Sequence, residues 1–175
     1  MSKLAPQINE LKTAEAFSRQ SLVFDKIYGT NEIVQYKRER VRSHILKRLK
    51  SGSSMLELNC GTGEDAIFFA ERGHTVHATD LSEGMLQHSE KKIQERKLSG
   101  AISLEVCSFT KLDTMKNRGP FDFIYSNFGG LNCTSDLDIV IQSLSSLLKP
   151  KGVVTFVILP KFTLWEFLLL FCCLF

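Results

Sequence analysis

The chain has 175 residues, 43% of them apolar and 23% charged, which is the composition of one globular domain with a real core. A net charge of +3 is too small to indicate a nucleic-acid partner. The five cysteines and four histidines lack metal-ligand spacing, so no metal site is predicted. An odd cysteine count and the lack of a signal peptide predict a reduced, cytoplasmic protein.

The first 50 residues are predicted to form an N-terminal helical cap. Helical patterning runs from residue 8 to about residue 50, with a break at "IYGTNE" that includes Tyr28. Apolar residues of the second helical stretch share one face: Val34, Val41, Ile45 and Leu49. The basic residues opposite them are interpreted as a solvated helix face.

Residues 51–175 alternate between strand and helix patterns. Strands are predicted over residues 54–59, 75–80, 102–108, 121–127 and 152–159, and helices over 64–72, 82–97 and 136–149. Ser82 is predicted as an N-cap and Gly73 as a C-cap. Five strands with intervening helices predict an α/β fold, a Rossmann-like doubly wound parallel sheet with helices on both faces.

The turn "NCGTGED" follows the first predicted strand, where parallel sheets usually bind ligands. It lacks the lysine of a phosphate-binding P-loop. Gly61, Gly63 and Ala66 formally satisfy a dinucleotide signature, with Asp80 placed to bind a ribose. The carboxylates in and beside the turn (Glu57, Glu64 and Asp65) disfavour a pyrophosphate and favour a ligand with ammonium and sulfonium groups.

The spacing E-x-N-x-G-x-G at Glu57, Asn59, Gly61 and Gly63 resembles the first motif of class I S-adenosylmethionine-dependent methyltransferases. Asn59 stands where the family usually has glycine, and asparagine tolerates left-handed backbone. Its amide is also a candidate for a bond near the methionine moiety. "HATDLSEGML", "CSFTKL" and "FDFIYSNFGGLNC" resemble three later motifs in the correct order, so the likeness covers roughly residues 53–160.

The resemblance implies S-adenosylmethionine as the cofactor and assigns roles to several residues. Asp80 would bind both ribose hydroxyls, Leu81 would pack on the adenine, and Phe109 would lie against the base. Ser108 occupies a position where the family often has aspartate. Asn127 would face the methionine end or the transferred methyl group. Further members of the predicted cofactor site are Tyr28, which is either a lid or a core residue, Cys60 and Met85.

No catalytic residue is assigned, because methyl transfer from a sulfonium needs mainly orientation and a dry site. A small-molecule acceptor is expected, since "SNFG" replaces the Asn-Pro-Pro-aromatic segment of amino-methylating nucleic-acid enzymes. Two alternatives stay open: a nicotinamide-dependent oxidoreductase, and an inactive protein that only binds the cofactor. Valine at Gly61 or Gly63 is expected to abolish binding more than it lowers stability.

The C-terminal segment "FTLWEFLLLFCCLF" is nearly all apolar. It is shorter than the roughly 18 residues that span a bilayer, so no membrane span is predicted. The family resemblance implies a seven-stranded sheet, whereas the sequence predicts five strands. We therefore expect a C-terminally incomplete member of the family with poor solubility as a monomer and possible self-association through this tail.

Overall fold

The computed structural model describes the backbone of residues 6–160 and the side chains of residues 9–160. Two helices come first, α1 (Pro6–Tyr28) and α2 (Glu32–Leu46), separated by the predicted break. The Asn31 side chain caps α2 by accepting a hydrogen bond from the Val34 N–H at 3.1 Å. The helical cap predicted for the first 50 residues is thus present as a pair of helices.

Strands and helices then alternate along the chain. Their bounds are β1 (Ser54–Leu58), α3 (Glu64–Ala70), β2 (Thr75–Asp80), α4 (Glu83–Glu95), β3 (Ile102–Val106), β4 (Phe121–Ser126), α5 (Leu137–Leu144) and β5 (Leu148–Phe156). Short 3₁₀ helices cover Phe109–Thr114 and Gly130–Cys133. Ser82 caps α4 as predicted, accepting from the Met85 N–H, and Gly73 adopts a left-handed conformation after α3.

The five strands form one parallel sheet in the order β3-β2-β1-β4-β5. The predicted Rossmann-like α/β fold is therefore confirmed. The strand order reverses direction between β1 and β4. At such a switch point the loops that follow the two strands diverge to opposite faces and leave a crevice.

Alternate residues of the central strands supply two hydrophobic cores, one on each face of the sheet. Met55, Phe123 and Tyr125 face one core, which α2, α3 and α4 cover. Leu56, Leu58 and Ile124 face the other core, which α5 and the Phe109–Thr114 helix cover. Burial on both faces explains why these strands read as nearly continuous apolar runs.

The last helix and strand differ from their predicted bounds. The helix α5 ends at Leu144, and β5 begins at Leu148, inside the segment predicted as helix. The Leu147 carbonyl accepts the Phe121 N–H at 2.7 Å, so pairing with β4 takes over before the Pro150 turn. Strand β5 lies at one end of the sheet order and is half-buried. The predicted roles of residues 162–175 lie outside the described residues.

None of the helices within residues 6–160 is long and apolar enough to cross a membrane.

Candidate cofactor site

A cavity of about 390 Å³ opens at the carboxyl ends of the strands, at the switch point between β1 and β4. The loops after β1, β2, β3 and β4 form its floor, and α1 and the start of α2 form its opposite wall. Ten of the twelve residues predicted for the site line it: Tyr28, Glu57, Asn59, Cys60, Gly61, Asp80, Leu81, Met85, Phe109 and Asn127. Gly63 and Ser108 do not line it.

The turn after β1 is built from residues in left-handed conformations, with φ values of 53° at Asn59, 55° at Gly61 and 76° at Gly63. Asn59 thus adopts the backbone geometry expected of it. Its amide, however, is engaged within the protein. Oδ1 accepts the Ser126 hydroxyl at 2.6 Å, and Nδ2 donates to the Asn127 carbonyl at 3.3 Å. Asn59 therefore fastens the β1 turn to the end of β4. Its amide keeps one further donor and one further acceptor position at the cavity, so the bond near the methionine moiety stays a prediction.

Asp80 ends β2 and anchors the same turn. Its carboxylate accepts the Gly61 N–H and the Ser82 N–H, each at 2.8 Å. Burial raises the pKa of Asp80 above its ordinary value of 3.8, and the backbone N–H groups of Ser82, Gly61 and Leu81 act in the opposite direction. A carboxylate has about four lone-pair positions, so each oxygen retains one that can accept a ligand hydroxyl.

Glu57 is a buried carboxylate at the cavity. The hydroxyl of buried Tyr125 lies near this carboxyl, and neither Glu57 Oε2 nor that hydroxyl has another hydrogen-bond partner among the described residues. Burial, and next the Asp65 carboxylate, raise the pKa of Glu57 well above its ordinary value of 4.5, and hydrogen bonding from the Tyr125 hydroxyl acts to lower it. A buried carboxyl of this kind strongly favours a cationic partner, because a nearby positive charge stabilises its ionised form.

Two arginines from the basic face of α2 are buried against the site. Asp65 Oδ1 lies 2.6 Å from Arg42 Nε and 3.4 Å from an Arg38 guanidinium nitrogen, and Asp65 Oδ2 accepts the Asn127 amide at 2.9 Å. Arg38 lines the cavity beside the Phe128 ring. The interpretation of the basic run as a solvated face is wrong for these two residues. They turn inward because Asp65 is a buried carboxylate that needs a cation.

The pairing of Asp65 changes one argument made from the sequence. The carboxylates at the start of α3 are not free charges, because Asp65 pairs with arginines and Glu64 pairs with Lys92 at 2.7 Å. The preference for a cationic ligand therefore depends on Glu57 and Asp80. Helical spacing places Arg38 within the apolar face of α2, four residues after Val34 and three before Val41, but it does not identify Asp65 as the partner of either arginine.

Ser108 does not line the cavity but contacts a residue that does. Its hydroxyl donates to Glu10 Oε2 at 2.6 Å and contacts the Thr110 hydroxyl at 2.8 Å. Glu10 lines the cavity from α1. Near the loop after β3, the cavity is therefore lined by Glu10 of the helical cap, a residue that the sequence analysis did not predict for the site.

The two glycines of the turn have different neighbours. A Cβ on Gly61 would meet nothing within 4 Å, whereas a Cβ on Gly63 would lie 2.1 Å from Ser89 Oγ on α4. The expectation that both glycines serve binding is corrected for Gly63, whose missing side chain permits the packing of α3 on α4.

We therefore expect Gly61→Ala to weaken cofactor binding by about tenfold, since the added methyl group enters the cavity edge, and to lower stability by about 1–2 kcal/mol, since alanine is strained at a left-handed φ. Gly63→Ala should have the same backbone strain and also overpack against Ser89, so it should lower stability by about 2–5 kcal/mol. Calorimetric titration with S-adenosylhomocysteine and urea unfolding measure the two effects. Equal stability losses in the two variants would contradict this distinction.

Comparison with known proteins places the chain in a family. Residues 55–152 match the family described as methyltransferase domain, which is more than half of the chain. A demethylmenaquinone methyltransferase of Lactococcus lactis is 28% identical over 157 residues, covering 86% of this chain and 60% of that protein. The chain spans only 44% to 61% of the length of curated relatives such as this one.

Solved structures agree with this result. The chain is similar to Haemonchus contortus phosphoethanolamine N-methyltransferase 2 in complex with S-adenosyl-L-methionine, with a TM-score of 0.66 and 26% identity, covering 81% of this chain and 33% of that one. It shares the fold of the [4+2]-cyclase SpnF, with a TM-score of 0.73 and 18% identity over 84% of this chain and 59% of that one. The chain belongs to the methyltransferase domain family, within the class I S-adenosylmethionine-dependent group.

Proposed function

We propose that the chain binds S-adenosylmethionine in the cavity at the switch point and contributes to transfer of its methyl group to a small molecule. The family and the fold support this proposal. The observation that carries it is the buried Glu57 carboxyl at the cavity, which has the Tyr125 hydroxyl as a neighbour but forms no ion pair among the described residues. The ammonium group of a methionine moiety supplies the cation that this carboxyl lacks.

The remaining contacts follow the polarity of the ligand. Asp80 accepts the ribose hydroxyls with the lone pairs that its backbone partners leave free. Leu81, Met85 and Phe109 provide apolar contacts to the adenine. Arg38 lines the cavity, and its Nε has no partner among the described residues, which suits the methionine carboxylate.

S-Adenosylmethionine supplies an electrophilic methyl group on a positively charged sulfur, and the residues of the chain orient it. Asn127 is held by Asp65 at 2.9 Å and by the Phe128 N–H at 2.8 Å, so it forms a rigid edge of the cavity after β4. The aromatic side chains of Phe24, Tyr28 and Phe128 line the cavity and exclude water. This geometry orients reactants and needs no dedicated acid or base.

The acceptor is proposed to be a small molecule, in keeping with the names of the relatives. The L. lactis protein is a demethylmenaquinone methyltransferase, and the H. contortus protein is a phosphoethanolamine N-methyltransferase. The cytoplasmic localisation stays a prediction from the sequence.

Calorimetric titration with S-adenosylmethionine, S-adenosylhomocysteine and NADH tests the cofactor. We expect binding of the S-adenosyl compounds and none of NADH, because a pyrophosphate at the glycine turn would lie near the buried Glu57 carboxyl. Binding of NADH alone would overturn the proposal. A screen of acceptors with a labelled methyl donor then tests transfer, both for this chain and for any natural C-terminal extension.

Asp80→Asn should weaken S-adenosylhomocysteine binding by about 1.5–3 kcal/mol, roughly ten- to a hundredfold, because the ligand loses charge-assisted hydrogen bonds. Asparagine keeps one acceptor for the β1 turn and preserves the fold better than alanine does. Asp113→Ala, which removes an exposed acid, serves as the control. An unchanged dissociation constant in folded Asp80→Asn would exclude Asp80 as the ribose ligand.

A further inference from the structure

The helix α1 covers the cavity but is held by few apolar contacts. Among its described side chains, only the polar residues Glu10 and Ser21 are buried. Four large apolar residues of α1 are exposed and do not line the cavity: Leu11, Leu22, Val23 and Ile27. An element with little buried apolar surface has low local stability and opens more readily than the sheet beneath it.

Polar side chains on one face of α1 contact three successive loops at the strand ends. Glu10 accepts the Ser108 hydroxyl after β3 at 2.6 Å, and Ser18 contacts the Ser82 hydroxyl after β2 at 2.8 Å. Asp25 accepts the Thr62 hydroxyl after β1, also at 2.6 Å. The three residues of α1 are eight and seven positions apart, about two helical turns each, which places them on the same face.

The same helix supplies much of the cavity wall. Six of its residues line the cavity: Glu10, Thr13, Ala14, Phe17, Phe24 and Tyr28. A ligand in the cavity therefore contacts α1 directly and adds the apolar packing that the helix lacks. Closure of α1 and occupation of the cavity consequently stabilise each other.

Lys92 on α4 joins α1 to the β1 turn without lining the cavity. Its Nζ lies 2.7 Å from Asp25 Oδ2 and 2.7 Å from Glu64 Oε1. Burial alone would raise the pKa of Asp25, but hydrogen bonds from Lys92 and Thr62 hold it below the ordinary value of 3.8. Asp25 is therefore an ionised acceptor shared by α4 and the glycine turn.

We propose that Lys92 is a positioning residue that holds α1 closed over the cavity, and that α1 is a lid which opens when the contact between Lys92 and Asp25 breaks. The identity of the ligand beneath the lid depends on the proposed function, whereas the lid itself depends only on the contacts of α1. Lys92 touches neither the cavity nor the proposed ligand, so it acts through Asp25, Thr62 and Glu64.

Amide hydrogen exchange in the ligand-free protein tests the lid directly. In Lys92→Met we expect exchange in α1 to rise about five- to tenfold, with exchange in β1 and β4 unchanged, because two partly screened ion pairs are lost. Lys91→Met is the matched control, since Lys91 is the neighbouring residue on α4 and has a side chain that is 75% exposed against 20% for Lys92. Equal exchange of α1 in the two variants would overturn the proposal.

Ligand dissociation gives a second readout. The dissociation rate of S-adenosylhomocysteine should rise by a similar factor of about five to ten in Lys92→Met, and Lys92→Arg should restore most of the wild-type rate. High salt should accelerate dissociation from the wild type and leave Lys92→Met unaffected. If ligand dissociates faster from Lys92→Met but shows the same salt dependence as in the wild type, then the ion pairs of Lys92 do not hold α1 closed. If the wild type binds no S-adenosyl ligand, the proposed function fails, and hydrogen exchange still decides the role of Lys92.

Discussion

Replacing Asp65 with alanine is expected to lower the free energy of unfolding by about 3–5 kcal/mol. The substitution leaves two buried or partly buried guanidinium groups, those of Arg38 and Arg42, without their carboxylate. It also removes the acceptor of the Asn127 amide. An uncompensated buried charge costs far more than the ion pair contributes when intact, so this change should have the largest effect on stability of those considered.

Urea unfolding followed by circular dichroism measures the loss. Asp138→Ala is the matched control, because Asp138 is also an acid in the first turn of a helix but is exposed, and it should cost less than about 1 kcal/mol. The stability loss of Asp65→Asn should lie between those of Asp65→Ala and Asp138→Ala, because the asparagine amide keeps one oxygen that can accept a hydrogen bond. If Asp65→Ala unfolds at the same urea concentration as the control, then the arginines are solvated and the cluster has no structural role.

Replacing Glu57 with glutamine is expected to stabilise the ligand-free protein while weakening cofactor binding. The Glu57 carboxyl is buried and its pKa is raised, so removing its charge should add on the order of 1–2 kcal/mol to the stability of the free protein. Loss of the ligand's charge-assisted hydrogen bond should weaken binding of S-adenosylhomocysteine roughly ten- to a hundredfold. A substitution that raises stability while it weakens binding is typical of a residue held in a strained state for function.

The pH dependence of stability separates this effect from a simple packing change. Because folding raises the pKa of Glu57, the stability that the protonated form provides is complete below the ordinary value of 4.5 and is lost as the pH rises towards the folded pKa. Glutamine does not ionise and so loses no stability as the pH rises. The difference in stability between Glu57→Gln and the wild type should therefore grow with pH. Glu90→Gln, at an exposed position on α4, is the control for the effect of the substitution itself. A constant difference across this pH range would show that Glu57 titrates normally.

Local patterns in the sequence determined the order and type of the elements. Period-two and period-3.6 apolar spacing predicted both cap helices, all five strands and the three helices that follow strands, and Ser82 marked the start of α4. The glycine turn and Asp80 predicted the position of the cavity, because parallel strands bring their carboxyl ends to one edge. Family resemblance added the ligand, and the family match confirmed the family.

Contacts between distant segments were decided only by the tertiary structure. Helical spacing places Arg38 on the apolar face of α2, but only the structure shows that Arg38 and Arg42 pack against a carboxylate 23 to 27 positions later in the chain. Three further contacts between distant segments are likewise seen only in the structure: Gly63 against Ser89, Ser108 with Glu10, and Lys92 with Asp25. Hydrophobic periodicity tells which face of an element is buried, but it carries no information on which polar partner the packing of another element brings to that face.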